Sequence, residues 1–391
     1  MTLSDVPVNL YEKWQDSPPI ASRILLLTAS FGEGHNAAAR GLQMALEERA
    51  HLSLGHYAET RLVDLCTEVY PRLTRIARWG YLKAIHHAPR LWERVFDHFD
   101  GNHLLERRLR VFSSIKARLE EEIKAFKPDA IVSTFPFYNQ IIDSLYSKED
   151  TPFLRITIVT DSICINSIWA KGKSDFFIVP NRPTLDALKQ HGVPVANILD
   201  LGFPVSLKFA NCQIDRGNPP PWHIMYLPGG PWNKVQENLR VLASLPKIEL
   251  TLVAGKDKKL QAMLEQEIRI LSLPIKVLGW INDMPERLLS QHVFIGKAGG
   301  AIVQECIAAG CPMIISQVIP GQEEGNVALI KQQGVGAVAE TPQELKTLMI
   351  RMMQGEAALW RSWKGNLLML QRPLAAQTIA RFILGRIAIK K

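Results

Sequence analysis

The stretch LLLTASFGEGHNAAARGL, from Leu25 to Leu42, joins an apolar run to a helical pattern through a glycine turn. The run RILLLTAS (23–30) predicts a buried strand, and the alanines at helical spacing that follow predict a helix over 36–50. A strand, a tight glycine turn and a helix in this order are typical of the first unit of a parallel α/β sheet. Gly32 and Gly34 let the backbone turn sharply and approach a ligand closely.

The same rhythm of strands and helices returns along the rest of the chain. In the first half, further strands are expected at 129–136, 153–161 and 175–181. The segment NCQIDRGNPPPWH (211–223) carries three consecutive prolines and predicts a linker. After it the runs IMYLPGG, IELTLVAG, IKVLGWI, HVFIGKAGG and PMIISQV predict a second sheet.

We therefore expect an α/β protein of two Rossmann-like doubly wound domains that face each other across a cleft. The expected parts are an N-terminal extension (1–22), a first domain (23–210), the linker (211–223), a second domain (224–370) and a C-terminal basic helix (371–391).

Composition narrows the class of protein. The chain has 391 residues, of which 47% are hydrophobic and 21% charged, as expected for two globular domains. Its five cysteines form no CxxC pair or Cys/His cluster, which argues against a zinc site or a disulfide framework and favours a reducing cytosol. We find neither a secretory signal nor an apolar run of about 18 residues, so a soluble or peripheral protein is expected.

Most of the net charge of +8 lies in one segment, residues 70–118. Between Pro71 and Arg118 there are eleven basic and only four acidic residues, interleaved with aromatic ones. This pattern suits an approach to an anionic membrane surface. The residues expected to make it are Arg75, Arg78, Trp79, Tyr81, Lys83 and Trp92. A solvated charged face is the plainer interpretation, and no DNA- or RNA-binding module supports nucleic-acid binding.

His35 directly follows the first glycine turn. An imidazole titrates near neutrality and can take a proton from a hydroxyl group, although a histidine here can also simply bond to backbone. Positions 32, 34 and 37 read Gly, Gly and Ala, so the third glycine of a dinucleotide fingerprint is missing. Nicotinamide dinucleotide binding is therefore not expected. Asp161, which ends a predicted strand facing the same cleft, is the rival base; a turn cap is its structural alternative.

The richest stretch is IGKAGGAIVQECIAAGCPMIISQVIPGQEEGNVALI (295–330). Gly299 and Gly300 precede a predicted helix over 301–309, so its N-terminal N–H groups and dipole are placed to receive a diphosphate. Glu305 in that helix is suited to ribose hydroxyls. Gln322 and Glu323, on a loop after the next strand, are suited to sugar hydroxyls. The plainer alternative is a solvated helix acid for Glu305 and a polar loop for Gln322 and Glu323.

Other turns are expected to open into the same cleft. Gly229 and Gly230 in LPGGPWN bring backbone toward phosphates, and Gly255 lies in VAGKDKKL. Trp280 and Ile281 follow a strand, where a uracil ring can rest against the backbone. The chain contains no Asp-x-Asp pair to hold a metal, so we expect backbone N–H groups, aided by Lys297, to stabilise the leaving diphosphate without a cofactor.

These segments, taken in order, resemble one family. TASFGEGHNAAA, KPDAIVSTFP, VTDS followed by a tryptophan, DFFIVPN, LGFPV, VAGKDKKL, VLGWINDMPERL, KAGGAIVQE and PGQEEGN are similar to the monogalactosyldiacylglycerol synthase and processive diacylglycerol glucosyltransferase family. The resemblance covers roughly residues 23 to 370 and is much more specific than any single motif.

The resemblance implies a GT-B fold and inverting transfer of a hexose from a UDP-sugar to a lipid hydroxyl. The donor would bind the second half and the acceptor the first. It assigns Gly299 and Gly300 to the diphosphate, Glu305 to the ribose, and Gln322 and Glu323 to the sugar. Asn326 would support that loop. It also makes His35 the base or acceptor-orienting group, in an acceptor and phosphate loop formed by Gly32, Gly34 and Asn36. A peripheral enzyme on the cytoplasmic face of the membrane follows.

The sequence departs from the family pattern at three places. Phe135 stands where relatives often have histidine in Ser-Thr-His-Pro, and Asn166 lies where many have another histidine. Lys297–Gly300 reads Lys-Ala-Gly-Gly instead of Lys-Pro-Gly-Gly. These changes bear on the acceptor and on the base. A UDP-sugar epimerase and a non-catalytic nucleotide-sugar or lipid-binding protein of the same fold therefore stay open as alternatives. The particular hexose and lipid, the processivity and the oligomeric state have no sequence signal.

Overall fold

The chain forms two parallel six-stranded sheets, each covered by helices, in a computed structural model that describes residues 21–48, 57–71, 110–146, 151–163, 165–214, 216–319 and 323–390. Two sets of residues expected to be functional lie outside the described residues: those expected to approach a membrane, from Arg75 to Trp92, and Gln322. The α/β class with two doubly wound domains is confirmed. Within the described residues, no helix is both long and apolar enough to cross a membrane.

The first sheet has the strand order β2-β1-β3-β4-β5-β6. Its strands are β1 (Ala21–Leu27), β2 (Tyr57–Val63), β3 (Ala130–Ser133), β4 (Leu154–Ile158), β5 (Phe176–Val179) and β6 (Ile198–Asp200). The accompanying helices are α1 (Glu33–Glu47), α2 (Leu65–Val69), α3 (Arg110–Phe126), α4 (Phe137–Leu145), α5 (Arg182–Gln190) and α6 (Lys208–Asn211). Single 3₁₀ turns occupy Ser167–Ala170 and Val195–Asn197.

The second sheet has the order β12-β11-β10-β7-β8-β9. Its strands are β7 (Trp222–Tyr226), β8 (Ile248–Val253), β9 (Val277–Leu278), β10 (Val293–Lys297), β11 (Met313–Gln317) and β12 (Gly336–Val338). The helices are α7 (Trp232–Ser244), α8 (Lys258–Ile270), α9 (Met284–Ser290), α10 (Gly300–Ala308), α11 (Glu324–Gln332), α12 (Pro342–Met353), α13 (Ala358–Leu370) and α14 (Ala375–Lys390), with a 3₁₀ turn at Gly355–Ala357.

Each sheet has one point at which the strand order reverses. In the first sheet it lies between β1 and β3, and in the second between β7 and β10. A crevice opens at the carboxyl ends of the strands at such a point, and this is where α/β proteins bind ligands. The glycine turn after β1 and the glycine pairs after β7 and β10 therefore lie at the two crevices.

The last helix, α14, belongs to the first sheet in space. Its Ile379, Ile383 and Ile387 are buried in the same apolar cluster as Ile24 of β1 and Leu42 of α1. The isoleucines recur every four residues, which places them on one face of a helix. The segment expected only to be a basic C-terminal helix thus completes the core of the first half.

Close backbone packing also fixes α1. A Cβ built on Gly41 would lie 2.0 Å from the carbonyl oxygen of Pro204, so no side chain fits there. Phe203 and Val205 on either side of Pro204 are buried in a cluster that also holds Val303 and Cys306 of α10. This shared cluster joins the two halves directly beside the first glycine turn.

Element boundaries differ from the sequence expectations in instructive ways. Helix α1 begins at Glu33, three residues before the expected start at 36, so His35 lies within its first turn and not on the turn that precedes it. Strand β7 begins at Trp222, inside the segment expected to be linker, because Trp222 pairs with Ile248 of β8. The sequence analysis did not predict β2, β6 or β12.

Candidate functional site

Two helix N-termini meet at the boundary between the halves. Helix α1 starts after Gly32 and helix α10 after Gly299, and neither N-cap residue makes a side-chain cap bond. A Cβ on Gly34 would lie 3.8 Å from the backbone nitrogen of Ala301, so the first turns of the two helices are neighbours. Backbone N–H groups and two positive helix ends at one place can bind an anion.

The His35 imidazole lies at the carboxyl edge of the first sheet with its orientation fixed. Its Nδ1 is 2.7 Å from the backbone oxygen of Thr134 and 2.9 Å from the hydroxyl oxygen of Thr160. Because a carbonyl can only accept, Nδ1 carries the proton and donates it. In the neutral ring Nε2 then holds the lone pair, which is the form a general base needs.

Burial lowers the pKa of His35 below its usual range, while the negative charge of Asp161 and the bond to the Thr134 carbonyl act to raise it. The neutral imidazole is therefore favoured near neutral pH. One oxygen of Asp161 accepts a hydrogen bond from the indole N–H of Trp169 at 2.6 Å. Trp169 is buried and its ring centroid lies 6.1 Å from that of His35, so Asp161 is held beside the histidine by packing.

Side-chain hydrogen bonds stabilise the turn between β1 and α1, which precedes His35. The Asn36 side chain accepts from the hydroxyl of Thr28 at 2.9 Å and donates to the hydroxyl of Ser30 at 3.2 Å. The Ser30 N–H donates to Asp64, which also caps α2. Asn36 was expected in a phosphate loop. Its side-chain contacts fix the path of the chain between β1 and α1, and its place in a phosphate loop stays a prediction.

Aromatic rings cover one side of His35. Phe135 stacks on Phe31 with centroids 5.6 Å apart and meets the His35 ring edge-on at 5.2 Å. Phe137 lies 5.3 Å from Phe135 on its other side. At one of the two positions where relatives often have histidine, this chain thus has an apolar wall. At the other, Asn166 accepts from the Ile168 N–H and caps a 3₁₀ turn.

On the donor side, the turn after β7 is packed against a residue that the sequence analysis did not select. A Cβ on Gly229 would lie 2.5 Å from the side-chain oxygen of Gln317, at the end of β11, and Gly230 has a φ of 89°. The backbone conformation favours glycine at 230, whereas at 229 the Gln317 side chain has to shift to admit a side chain. The Gln317 side chain therefore lies against the turn at the second crevice.

The expected sugar-binding loop is partly turned inward. Glu323 is 3% exposed; one carboxylate oxygen accepts from the Ile319 N–H, and the other lies 3.7 Å from Nζ of Lys297. Burial raises the pKa of Glu323, and Lys297 opposes that rise. Asn326 donates to the carbonyl of Ala298 at 2.9 Å, which fixes the turn before Gly299. In this structure Glu323 contacts Lys297 instead of pointing freely into the cleft.

Glu305 lies on the face of α10 that looks toward α1. Burial raises its pKa to about 7; Arg40 lowers it and Glu33 raises it, both from α1. The carboxyl group is therefore close to half-protonated at neutral pH. A protonated carboxyl can donate as well as accept, so this position suits a sugar hydroxyl.

Lys256, another residue not selected from the sequence, bridges the halves. Its ammonium lies 2.9 Å from Oε1 of Glu33 and 3.9 Å from the centre of the Trp280 ring. The Trp280 ring is half-exposed and one face is covered by this cation. Gly255 precedes the lysine at a φ of 65°, and Ile281 packs against the apolar cluster shared by the two halves.

No group of three metal-ligating His, Cys, Asp or Glu side chains occurs in the part of the chain for which the structure gives positions. Gln322 and the six residues expected to approach the membrane fall outside that part. Of the remaining basic residues of 70–118, Arg118 pairs with Glu122 and Lys116 donates to the Ser144 carbonyl at 2.7 Å.

Comparisons with known proteins are consistent with this geometry. The family model described as monogalactosyldiacylglycerol (MGDG) synthase matches residues 35–205, a stretch that begins at His35. A processive diacylglycerol beta-glucosyltransferase from Staphylococcus epidermidis is 25% identical over 349 residues, which is 86% of each chain.

Solved structures share the fold at low identity. The glycotransferase of kitacinnamycin aligns with a TM-score of 0.63 at 13% identity, over 95% of this chain and 100% of its own. A UDP-N-acetylglucosamine 2-epimerase aligns with a TM-score of 0.61 at 10% identity, over 95% of this chain and 98% of its own. A transferase and an epimerase are matched about equally well, so these alignments speak for the GT-B fold alone.

Proposed function

We propose that the chain belongs to the family of monogalactosyldiacylglycerol synthases and processive diacylglycerol glucosyltransferases and that it transfers a hexose from a UDP-sugar to a diacylglycerol-type lipid. The observation that carries the proposal is the position of His35. An imidazole with a proton on Nδ1 and a lone pair on Nε2 lies beside the meeting point of two uncapped helix N-termini.

In the proposed reaction the acceptor hydroxyl gives its proton to Nε2 of His35 as its oxygen attacks the anomeric carbon. The bond from that carbon to the UDP oxygen breaks on the opposite face, so the configuration inverts. The charge that develops on the diphosphate is stabilised by the N–H groups of α10 and by Lys297, without need of a metal. The proton then passes from the imidazolium to water. Asp161 stabilises the imidazolium or, as the alternative, is itself the base.

We assign the remaining donor contacts from the family resemblance. Gly299 and Gly300 hold the diphosphate, Glu305 the ribose, and the loop of Gln322 and Glu323 the sugar, once Glu323 has turned from Lys297. The wall of Phe31, Phe135 and Phe137 supports an apolar acceptor, because a lipid glycerol and its acyl chains can rest on aromatic rings.

We also propose that the enzyme works at the cytoplasmic face of a membrane as a peripheral protein. The support is compositional: residues 70–118 concentrate cations among aromatic side chains. Binding to vesicles should therefore increase with the fraction of anionic lipid and weaken with salt.

The test uses the full-length protein with vesicles that contain diacylglycerol and either labelled UDP-glucose or labelled UDP-galactose. We expect a hexosyl lipid from one donor, detected by lipid extraction and mass spectrometry, and the same yield after treatment with a chelator. The His35→Ala variant should lose about 10²- to 10⁴-fold in rate while UDP binding, measured by calorimetry, survives.

Three results would contradict the proposal or a part of it. Wild-type transfer by His35→Ala would remove histidine as the base and favour Asp161. Conversion of a UDP-sugar to its epimer without lipid would make the protein an epimerase. UDP binding without any transfer or epimerisation, across several lipid acceptors, would make it a non-catalytic binder.

A further inference from the structure

Thr160 contacts both the imidazole of His35 and the first turn of α10. Its hydroxyl oxygen lies 2.9 Å from Nδ1 of His35. Its backbone carbonyl faces α10, where a Cβ on Gly300 would lie 3.4 Å from the carbonyl oxygen. Thr160 is 3% exposed and follows β4, so neither contact depends on a free surface loop.

The hydroxyl of Thr160 completes the surroundings of Nδ1. The Nδ1–H lies between the Thr134 carbonyl at 2.7 Å and the Thr160 hydroxyl at 2.9 Å, so it can be shared by two accepting oxygens. Both oxygens keep accepting when Nε2 takes up a proton. Hydrogen bonds from a charged ring are stronger than those from a neutral one, so this pair favours the imidazolium.

Few charged groups act on the pKa of His35, so a neutral hydrogen-bond acceptor can change it measurably. Burial disfavours the imidazolium and Asp161, after β4, favours it. On α1, Glu33 is paired with Lys256 and Arg40, and on α10 Glu305 faces those same α1 side chains. Among the charged groups of the described elements, Asp161 is the one that acts on the ring, and Thr160 adds a neutral acceptor beside it.

We propose that Thr160 is a positioning residue of the transfer reaction. Its hydroxyl holds the imidazole so that Nε2 points away from Nδ1's partners toward the acceptor, and its carbonyl sets how closely that imidazole approaches the diphosphate site at Gly300. This inference rests on the proposed function for its kinetic consequence, but the hydrogen bond itself can be tested without substrate.

The kinetic test compares Thr160→Val, which keeps the shape and loses the hydroxyl, with Thr160→Ser, which keeps the hydroxyl. We expect kcat/KM of the valine variant to fall about tenfold, as for the loss of one hydrogen bond to a charged group. The acid limb of its pH profile should move to lower pH, because the imidazolium loses an acceptor. The serine variant should keep the kcat/KM and the acid limb of the wild type. If the valine variant does not fold, Thr160→Ala replaces it.

Thr134→Val is the matched control. The Thr134 hydroxyl donates to the backbone oxygens of Leu27 and His35, at 3.3 and 3.1 Å, and not to the ring. The Thr134 carbonyl that accepts from Nδ1 remains. This variant should lose stability without moving the acid limb. An equal shift of the limb in both valine variants, or no shift in Thr160→Val, would overturn the proposal.

An NMR titration separates this inference from the proposed function. Histidine labelled with ¹⁵N, assigned by difference from His35→Ala, reports which nitrogen carries the proton and where the ring titrates, with no substrate present. We expect the Nδ1–H form in the wild type and a lower pKa in Thr160→Val. If the wild type transfers no sugar but the pKa of His35 is lower in Thr160→Val, the proposed function is wrong and the positioning role stands. If the wild type transfers sugar but Thr160→Val leaves the pKa of His35 unchanged, the proposed function stands and the positioning role is wrong.

Discussion

At the scale of single residues, Glu305 is the site carboxyl whose ionisation is most perturbed. Burial in α10 against α1 raises its pKa to about 7, well above that of an exposed glutamate. The folded state therefore binds this proton more tightly than the unfolded chain does. Its ionisation costs stability as pH rises from the unfolded pKa through 7, and the cost is absent at low pH.

We expect Glu305→Gln, which keeps the shape and cannot ionise, to gain about 1–3 kcal/mol relative to wild type at pH 8 and less than about 1 kcal/mol at pH 5. Urea unfolding at the two pH values measures this. A gain of the same size at both would mean that the amide packs better, and that the carboxyl is not the cause. Loss of UDP affinity at pH 8 would further support a ribose contact.

Individual residues also show what the sequence can and cannot reveal. His35, Gly299 and Gly300 were found because each follows a strand in a glycine-rich turn, a pattern visible in the chain order. Thr160, Lys256 and Gln317 carry no such pattern. Their roles come from contacts across strands or between halves, such as Lys256 with Glu33 223 positions earlier. Glu323 shows the converse, because this polar loop residue is buried and its carboxylate lies beside the half-exposed Lys297.

At the scale of elements, α1 depends on a glycine inside the helix. The Pro204 carbonyl comes so close to Gly41 that a methyl group cannot be accommodated without moving α1 or the 203–205 segment. An internal glycine weakens a helix on its own, so its presence here reflects packing and not propensity.

We expect Gly41→Ala to lower stability by about 1–3 kcal/mol, as overpacking does, and to reduce transfer because α1 carries His35. Gly365→Ala in α13 is the control: a Cβ there meets nothing within 4 Å, and the change should be neutral or stabilise by about 0.5–1 kcal/mol. Thermal unfolding and the transfer assay measure both. A neutral Gly41→Ala would show that the 203–205 segment yields easily.

Some elements were not readable from the sequence. β6 and β12 have three residues each, too few for a periodic pattern, and β2 (YAETRLV) mixes charges into an outer strand. They are placed by parallel pairing with a neighbour, which is a tertiary effect. The long buried strands β1, β4 and β10 were found because their apolar runs are unmistakable, although their ends shifted by one to three residues.

At the scale of the whole molecule, the chain crosses from the first half to the second and then returns, because α14 packs on the first sheet. Ile383 is fully buried in the first cluster, whereas Ile389, in the same helix, is 75% exposed. Because both residues are isoleucines in the same helix, a difference between their substitutions reports the effect of burial on stability.

We expect Ile383→Asn to destabilise the protein by about 3 kcal/mol or more, through a lost apolar contact and a buried amide, and Ile389→Asn to change stability by less than about 0.5 kcal/mol. Chemical denaturation followed by tryptophan fluorescence measures both. Equal effects of the two substitutions would mean that α14 does not depend on the first half.

The return of α14 also bears on synthesis. A chain made from its N-terminus exposes β1 and α1 early, yet the isoleucines of α14 that cover their apolar face are translated more than 300 residues later. Until α14 has been made, the apolar face that it covers in the first half is open to aggregation or chaperone capture. A premature stop shortly before residue 375 would thus compromise the half of the molecule farthest from it in sequence.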